Sequence, residues 1–410
     1  MRRDMQRTMD YSMKVRKITV PKGHRIIITS DIHGNLSYLK GLLDKVSFSK
    51  EDYFFIAGDL VEKGGDSLAT LRYLMELERT HHVYMVYGNV DASVLENMNS
   101  VESFYKRYCR MMKHWGNSIY EEMLREQGKS LAEQGERSPQ AVEMERRAGG
   151  WAKKAAEEIS AEEALFLIRE KYDRELSFIQ SLPVLIDAGT FLVTHAGLPT
   201  EDYKELSAEE VYRMIKWESF QDVDLHFSRY VYVGHWPVTI YERGRMDSSP
   251  LINQEKKIIS LDGGCAVKRD GQLNAVVLSD IDSEDFQIVS YDDFPRAIVL
   301  EAKKGREGEF CSRWSHRFVE EIKKDGEGSL VRFLHNGEES WVPAPYLWEE
   351  GEGLSCSDYT NSELALDAGD TVSVIGSYRK GYLVRKDGVL GWYYGALDIC
   401  GEEKWKGDTK

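Results

Sequence analysis

The stretch RIIITSDIHGN at residues 25–35 sets the pattern of the chain. A run of branched apolar residues, typical of a strand buried on both faces, ends abruptly at Asp31 and His33 and a glycine. The same arrangement returns five times, in YFFIAGDL at 53–60, VYMVYGNVD at 83–91, FLVTHAGL at 191–198, YVYVGHWP at 230–237 and IISLDGG at 258–264. Polar residues therefore recur at the carboxyl ends of predicted strands.

Helical patterns separate the first of these strands. LSYLKGLLDKV at 36–46 and SLATLRYLMELERT at 67–80 carry apolar residues three and four positions apart. Strands that alternate with helices predict an α/β layered sheet, in which ligands bind at the carboxyl ends of the strands. We therefore expect the polar strand ends to meet in one site.

Composition excludes several classes of protein. The 410 residues carry 54 Lys and Arg against 69 Asp and Glu, a formal net charge of −15, which argues against a nucleic-acid partner. Five scattered cysteines without a CxxC pair indicate neither a disulfide framework nor a thiolate zinc site. Without a long apolar run or an apolar leader segment, we expect a cytoplasmic protein with no membrane partner.

The length predicts two or three domains. We expect a tail at 1–16 and an α/β domain at 17–292. Within that domain, the region at about 95–181 is rich in Glu, Lys, Arg, Ala and Met and predicts a helical insertion beside the site. Its expected helices are 100–126, 139–158 and 160–181.

Short strands and turns replace helices after Phe286. SELALDAGDTVSVIGSYRKGYLVRKDGVLGWYYGALDI at 362–399 resembles an SH3 fold, and WVPAPYL at 341–347 resembles the closing element of a second one. This resemblance predicts small all-β SH3-like barrels at 354–400 and 293–349. It also implies a peptide partner for these modules.

The strand ends supply six residues of metal-ligand type. Oxygen and nitrogen ligands without sulfur suit two hard or borderline divalent ions such as manganese, iron, magnesium or zinc. A dinuclear site needs a carboxylate that can bridge, and Asp59 is the candidate for that role. Each residue alone is a weak signal, but five strand ends that all carry such residues indicate a metal site. The six residues are Asp31, His33, Asp59, Asn89, His195 and His235.

The motifs DIHGN, GDLVEKGG, GNVD, THAG, GHWP and LDGG resemble those of the calcineurin-like metallophosphoesterases, in particular the bacterial serine/threonine phosphoprotein phosphatases and diadenosine tetraphosphatases. The resemblance covers about residues 24–290. It implies a four-layer α/β sandwich in which two mixed sheets are flanked by helices. It also implies two metal sites that share Asp59, one completed by Asp31 and His33 and the other by Asn89, His195 and His235.

The chemistry follows from such a pair of ions. Two divalent cations lower the pKa of a bridging water and clamp phosphoryl oxygens for in-line attack. The resemblance therefore implies that a metal-bridging hydroxide hydrolyses a phosphate ester or anhydride in a small molecule, a nucleotide or a phosphoprotein. Manganese is the first expectation for the metal, with iron, zinc and magnesium as alternatives.

The sequence departs from the family pattern at the positions of three catalytic residues. The phosphoprotein phosphatases read GDxVDRG and GNHE or GNHD, whereas this chain has Glu62, Lys63 and Val90 there. Valine cannot protonate a leaving group, a contribution worth about 10²- to 10⁴-fold in rate. The missing acid therefore favours dinucleoside polyphosphates and aryl phosphates over phosphoserine, whereas the resemblance to phosphoprotein phosphatases favours phosphoserine, and both substrate classes remain open.

Further site residues are expected around the metals. Lys63 keeps a positive charge but lacks the bidentate fork of arginine. Trp236 either stacks on a nucleobase or packs against the insertion, and Asp91 either acts as a weak acid or opens the next helix. The expected catalytic residues are Asp59, Glu62, Lys63 and Asp91, and the expected substrate-binding residues are Lys63, Trp236 and Arg243.

A second hypothesis belongs to a different class of function. The missing general acid and the C-terminal modules also fit a metal-binding scaffold or weakly active pseudophosphatase that acts through SH3-like interactions. Hydrolysis of an aryl phosphate in the presence of manganese discriminates between the two hypotheses.

Overall fold

The computed structural model describes residues 11–131, 156–241, 243–306, 311–351, 353–379 and 381–399. Most of the predicted helix at 139–158 lies outside the described residues. The chain divides into two compact units, the first formed by 1–236 and 250–291 and the second by 237–249 and 292–410.

One mixed sheet of the first unit has five strands. The strands in spatial order are β13 (Gln287–Tyr291), β12 (Leu273–Leu278), β2 (Ile26–Thr29), β3 (Tyr53–Ile56) and β4 (His82–Met85). Parallel pairing joins β2 to β3 and β3 to β4, while β12 runs antiparallel to both β2 and β13.

The other mixed sheet of the first unit has six strands. They are, in spatial order, β1 (Val15–Lys17), β7 (Leu185–Asp187), β8 (Phe191–Thr194), β9 (Tyr230–Val233), β11 (Ile258–Ser260) and β10 (Leu251–Asn253). Strand β1 begins inside the expected tail at 1–16. The core therefore starts earlier than predicted, because Val15–Lys17 pair in parallel with Leu185–Asp187.

Alternation along the strands packs both faces of each sheet. Ile26 and Ile28 point into an apolar layer shared by the two sheets, while Ile27 between them packs in the cluster that contains the helices. Burial on both faces is the physical reason for the near-continuous apolar runs in the sequence. The layer between the sheets also contains Phe55, Ile186, Val193, Tyr232 and Ile259.

The first unit also contains α-helices. The described helices are α1 (Leu36–Lys45), α2 (Ser67–Thr80), α3 (Asn89–Glu96), α4 (Val101–Trp115), α5 (Ile119–Glu126), α6 (Ala161–Lys171), α7 (Asp173–Ser181) and α8 (Ala208–Ile215). A small parallel pair, β5 (Lys129–Ser130) and β6 (Glu157–Glu158), lies in the insertion. Among the described helices, none has the length and apolar character needed to cross a bilayer.

The expected helix at 100–126 is interrupted in the structure. Helix α4 ends at Gly116, whose φ of 72° is left-handed and suits glycine, and Ser118 begins α5 by accepting a hydrogen bond from the Tyr120 amide at 3.2 Å. Two helices therefore replace one, and a short turn lies between them.

The second unit contains two antiparallel five-stranded sheets. One has the order β18 (Glu339–Pro343), β17 (Gly328–Phe333), β16 (Phe318–Lys324), β20 (Gly353–Cys356) and β19 (Leu347–Glu350). The other has the order β24 (Val389–Tyr393), β23 (Gly381–Lys386), β22 (Thr371–Tyr378), β14 (Arg296–Val299) and β25 (Leu397–Ile399). A two-stranded pair is formed by β15 (Cys311–Ser312) and β21 (Tyr359–Thr360).

The borders of these sheets differ from the expected modules at 293–349 and 354–400. Strand β14 lies in the first expected module but pairs with β22 and β25 of the second. The segment 237–249 was expected in the α/β domain but belongs to the second unit, where Met246 is buried and its carbonyl accepts a hydrogen bond from the Leu390 amide at 2.9 Å. Local sequence patterns do not reveal such pairing between distant segments.

Candidate metal centre

The carboxyl ends of the strands in the first unit bring the six expected ligands together. Asp31 and His33 follow β2 and Asp59 follows β3. Backbone hydrogen bonds from the Asp31 amide to the Gly58 carbonyl (3.0 Å) and from the His33 amide to the Asp59 carbonyl (2.9 Å) hold these two strand ends side by side. The remaining ligand positions follow β4, β8 and β9, where the chain places Asn89, His195 and His235.

Two groups of side chains are arranged as metal ligands, and they share one carboxylate. In the group of Asp31, His33 and Asp59, and in the group of Asp59, His195 and His235, the ligand atoms lie within 4.8 Å of one another. Asp59 belongs to both groups, as a bridging carboxylate requires.

The Asn89 side chain lies beside the second group. Its Oδ1 is 3.0 Å from Nε2 of His195 and 3.0 Å from Nδ1 of His235. The Nδ1 atom of His195 lies 2.7 Å from the Ala57 carbonyl, which leaves Nε2 facing the site. The side chain of Asn89 therefore offers its oxygen at the position expected for the sixth ligand.

The backbone at the site is strained. Asp31, His33, Asp59 and His235 have φ values of 53°, 51°, 52° and 68°, in the left-handed region that non-glycine residues rarely adopt. Such conformations cost about 1–3 kcal/mol each and concentrate at functional sites. The surrounding fold therefore fixes the direction of these side chains.

Two glycines leave room for the carboxylates. A Cβ atom on Gly88 would lie 2.1 Å from Oδ1 of Asp59, and one on Gly234 would lie 1.9 Å from Oδ2 of Asp31. Any side chain at these positions would displace a carboxylate from the site. This close approach explains why glycine precedes Asn89 in the chain.

The protonation states of the ligands suit metal binding. Burial favours protonation of Asp59, but His195, His33 and Lys63 outweigh it and hold the pKa of Asp59 at about 2. Burial lowers the pKa of His33 to about 3, and Lys63 contributes to that shift. Burial and His195 likewise lower the pKa of His235 to about 3. The carboxylate is therefore ionised and both imidazoles are neutral at pH 7, the forms that bind cations.

The pKa of Asp31 is shifted in the opposite direction from that of Asp59. Burial, together with the negative charges of Asp262 and Asp59, raises the pKa of Asp31 well above its usual range. A divalent cation among these carboxylates would offset that repulsion. The donor set, the shared carboxylate and the space left by glycine all fit two divalent ions.

Two expected catalytic residues have carboxylates bound by protein groups. Oε1 of Glu62 accepts a hydrogen bond from Nη2 of Arg107 at 3.1 Å, and Oε2 accepts one from the Ile119 amide at 3.2 Å. The side chain of Glu62 is fully buried in these contacts. Glu62 therefore connects the loop after β3 to the helical insertion.

Asp91 is buried in a similar network of backbone amides. Its carboxylate accepts hydrogen bonds from the amides of Gly88 (2.8 Å), Leu60 (2.9 Å) and Val61 (3.2 Å). Burial and the charge of Asp59 raise the pKa of Asp91 to about 8, although these amides oppose the shift. Asp91 thus joins the loop after β3 to the start of α3.

The expected substrate-binding residues have different surroundings. Nζ of Lys63 lies 3.3 Å from Nε2 of His33, next to the first ligand group. Trp236 is half-buried, with its ring centroid 6.4 Å from that of His235. Arg243 belongs to the second unit, where Nη2 lies 3.2 Å from Oδ2 of Asp247, and its role toward substrate stays a prediction.

Three further residues near the site were not predicted from the sequence. Asp262 lies two residues after the end of β11 and is buried near Asp31, so the strand-end pattern that pointed to the candidate ligands also points to it. Arg107 and Trp115 come from α4, and their proximity to the loop after β3 depends on how the insertion packs. No local motif marks these two residues.

Comparison with known proteins places this site in a family context. Residues 24–257, more than half of the chain, match the family described as Calcineurin-like phosphoesterase. Over 67 residues the chain is 46% identical to a symmetrical bis(5'-nucleosyl)-tetraphosphatase of Buchnera aphidicola, a match that covers 16% of this chain and 24% of that protein. The corresponding protein of Pseudomonas putida is 42% identical over 77 residues, covering 18% and 26% respectively. The match thus spans about a quarter of these relatives.

Solved structures give weaker similarity. A serine/threonine phosphatase from Saccharomyces cerevisiae has a TM-score of 0.36 at 13% identity, covering 68% of this chain and 83% of that chain. A metallophosphoesterase from Sphaerobacter thermophilus has a TM-score of 0.34 at 15% identity, covering 66% and 89%.

Proposed function

Because the chain belongs to the calcineurin-like phosphoesterase family, we propose that it is a metal-dependent phosphoesterase. The observation that carries the proposal is the pair of ligand groups that share Asp59. We assign two divalent ions to them, manganese first and iron, zinc or magnesium as alternatives. Such a pair supplies an activated water and stabilises negative charge on a phosphoryl group.

Each ligand has a defined place in this proposal. Asp31 and His33 would hold one ion, Asn89, His195 and His235 would hold the other, and Asp59 would be shared by both. The Val90 amide donates a hydrogen bond to Oδ1 of Asp59 at 2.9 Å, and the His235 amide donates one to Oδ2 of Asp31 at 3.0 Å. These bonds orient the two carboxylates.

The other polar residues around the site have distinct roles. Lys63 binds a phosphoryl oxygen as a point charge, since its ammonium lies beside His33. Glu62 and Asp91 are positioning residues rather than catalytic residues, because their carboxylates are bound to protein donors. They fix the loop that carries Asp59 and Lys63.

The substrate class follows from the leaving group. Val90 occupies the position after Asn89 and has no proton to give. Leaving groups that are weak bases, such as the phosphate of an anhydride or a phenolate, depend least on protonation. We therefore propose dinucleoside polyphosphates or aryl phosphates ahead of phosphoserine, an order in line with the relatives named bis(5'-nucleosyl)-tetraphosphatase.

A second candidate is a metal-binding scaffold or weakly active pseudophosphatase. The apolar Val90 side chain favours it, since the site lacks a proton donor there. In that case the two five-stranded sheets of the second unit would act as SH3-like modules that bind a peptide.

Hydrolysis assays separate the two candidates. Purified protein with Mn²⁺ should hydrolyse diadenosine tetraphosphate and p-nitrophenyl phosphate, and EDTA should abolish both activities. Asp59→Asn should lower kcat/KM at least about 100-fold, since even indirect changes to metal ligands cost 10- to 100-fold. The exposed Asp202→Asn should leave kcat/KM unchanged. Failure of every divalent ion to support turnover would refute the phosphoesterase.

A further inference from the structure

An aromatic ring from the helical insertion lies close to the candidate metal centre. Trp115 is the last residue of α4, and the ammonium of Lys63 lies 5.6 Å from its ring centroid. Nζ of Lys63 is in turn 3.3 Å from Nε2 of His33. The Lys63 ammonium is thus close to both the Trp115 ring and His33, which places the ring near the first ligand group. Trp115 is only half-buried, so part of its surface is open to a ligand.

Buried contacts hold the end of α4 and the start of α5 beside the loop that carries Lys63. Arg107 and the Ile119 amide bind the Glu62 carboxylate, and Nδ2 of Asn117 donates a hydrogen bond to the Gly64 carbonyl at 3.0 Å. The side chains of Glu62, Arg107 and Asn117 are at most 3% exposed. Residues on both sides of Trp115 are hydrogen-bonded to both neighbours of Lys63. Trp115 and Lys63 therefore form a preorganised wall of the site.

We propose that Trp115 is a substrate-binding residue that stacks on the nucleobase of a nucleoside polyphosphate whose phosphate lies at the metal centre. This inference rests on the proposed function. A cation over an aromatic face contributes about 0.5–2 kcal/mol, whereas an ammonium paired with a phosphate forms the stronger charge-assisted hydrogen bond. Lys63 therefore turns from the Trp115 ring to a bound phosphate, and the vacated face receives the base.

Stacking on tryptophan does not distinguish between bases, because every base has a flat π-face. The site therefore accepts different nucleosides and selects for a ring at the right distance from the phosphate. A role of Trp115 limited to orienting Lys63 makes a different prediction, since Lys63 binds the phosphate of every substrate. Removing the ring would then weaken the binding of all phosphate substrates equally.

A comparison of ring-bearing and ring-free substrates tests the stack. Wild type, Trp115→Ala and Trp115→Phe are assayed with diadenosine tetraphosphate, p-nitrophenyl phosphate and inorganic tripolyphosphate in Mn²⁺. Trp115→Ala should lower kcat/KM for the dinucleotide by about 10- to 100-fold more than for tripolyphosphate, mainly through KM, as expected for one base–aromatic stack. Trp115→Phe should recover part of the loss. Trp314→Ala, which removes an exposed tryptophan of the second unit, should change none of these values.

Each other outcome is decisive. Equal losses for the dinucleotide and tripolyphosphate, or no loss for either, overturn the stack. A loss for p-nitrophenyl phosphate as large as for the dinucleotide means that a phenol ring is recognised, and the nucleobase assignment fails. Calorimetric binding of AMP in Mn²⁺ provides a readout without turnover. AMP binding that weakens in Trp115→Ala in a protein without activity refutes the phosphoesterase but supports the stack, whereas unchanged AMP binding overturns the stack.

Discussion

Val90 combines an apolar side chain with a backbone amide that is used by the site. The amide donates to Oδ1 of Asp59, and the side chain is buried next to the ligand Asn89. A substitution at this residue can therefore change proton donation while the backbone hydrogen bond to the carboxylate remains. We therefore expect the Val90 side chain to determine which leaving groups the site favours.

We expect Val90→His to raise kcat/KM selectively for alkyl phosphates. An imidazole at this position can protonate the leaving oxygen, and a general acid contributes about 10²- to 10⁴-fold. The ratio of kcat/KM for a phosphoserine peptide to that for p-nitrophenyl phosphate should rise at least about 10-fold. Val90→Leu, which changes bulk without adding a proton donor, serves as the matched control. A parallel change in both substrates would show that no proton is delivered.

The candidate ligands could be proposed from sequence because each lies within a few residues of the end of a buried strand. A polar residue at the end of an apolar run is visible locally, and the parallel arrangement of strands brings such ends together. Trp115 and Arg107 could not be predicted, because their proximity to Lys63 and Glu62 depends on the packing of α4 against the loop after β3. Sequence patterns thus pointed to the candidate ligands but not to Trp115 and Arg107.

At the level of elements, the insertion is joined to the loop after β3 by a buried ion pair. Arg107 is 3% exposed and Glu62 is fully buried, and their side chains lie 3.1 Å apart. The helical character of 100–126 was predicted from composition, but not its break at Gly116, although the sequence Gly116, Asn117, Ser118 carries a stop and a start signal. That turn places Asn117 against the Gly64 carbonyl.

We expect Arg107→Met to destabilise the first unit by about 3–5 kcal/mol, because it leaves the buried Glu62 carboxylate without its partner. The double variant Glu62→Gln, Arg107→Met should regain part of that loss, since both buried charges are absent. Urea unfolding followed by tryptophan fluorescence measures the difference in midpoints.

A neighbouring pair on the same helix provides the control. Lys106 and Glu102 form an ion pair with both side chains about three-quarters exposed, so Lys106→Met should change stability by less than about 0.5 kcal/mol. Equal effects of Arg107→Met and Lys106→Met would contradict a special role for the buried pair.

At the scale of the whole molecule, the chain passes between the two units more than once. The chain leaves the first unit two residues after the candidate ligand His235, contributes 237–249 to the second unit, and returns to the first unit at Pro250. The sequence predicts a boundary near 292, but no local signal marks the excursion of 237–249. Its cause is the burial of Met246 among side chains of the second unit, including Val331 and Trp392.

Removal of residues 292–410 is therefore expected to affect the metal centre. In the truncated chain, Met246 loses its apolar surroundings, and the hydrogen bonds from the Leu390 amide to Met246 and from the Ser248 amide to Gly388 are lost. The released segment begins two residues after His235, so we expect at least about 10-fold weaker Mn²⁺ binding and a melting temperature lower by at least about 5 °C. Replacing 237–249 in the truncated chain with a short Gly/Ser linker should restore neither property fully, because the backbone after His235 stays unanchored. Calorimetric titration with Mn²⁺ and thermal unfolding give both values, and a truncated protein that binds Mn²⁺ and melts like the full chain would show that the second unit does not support the metal centre.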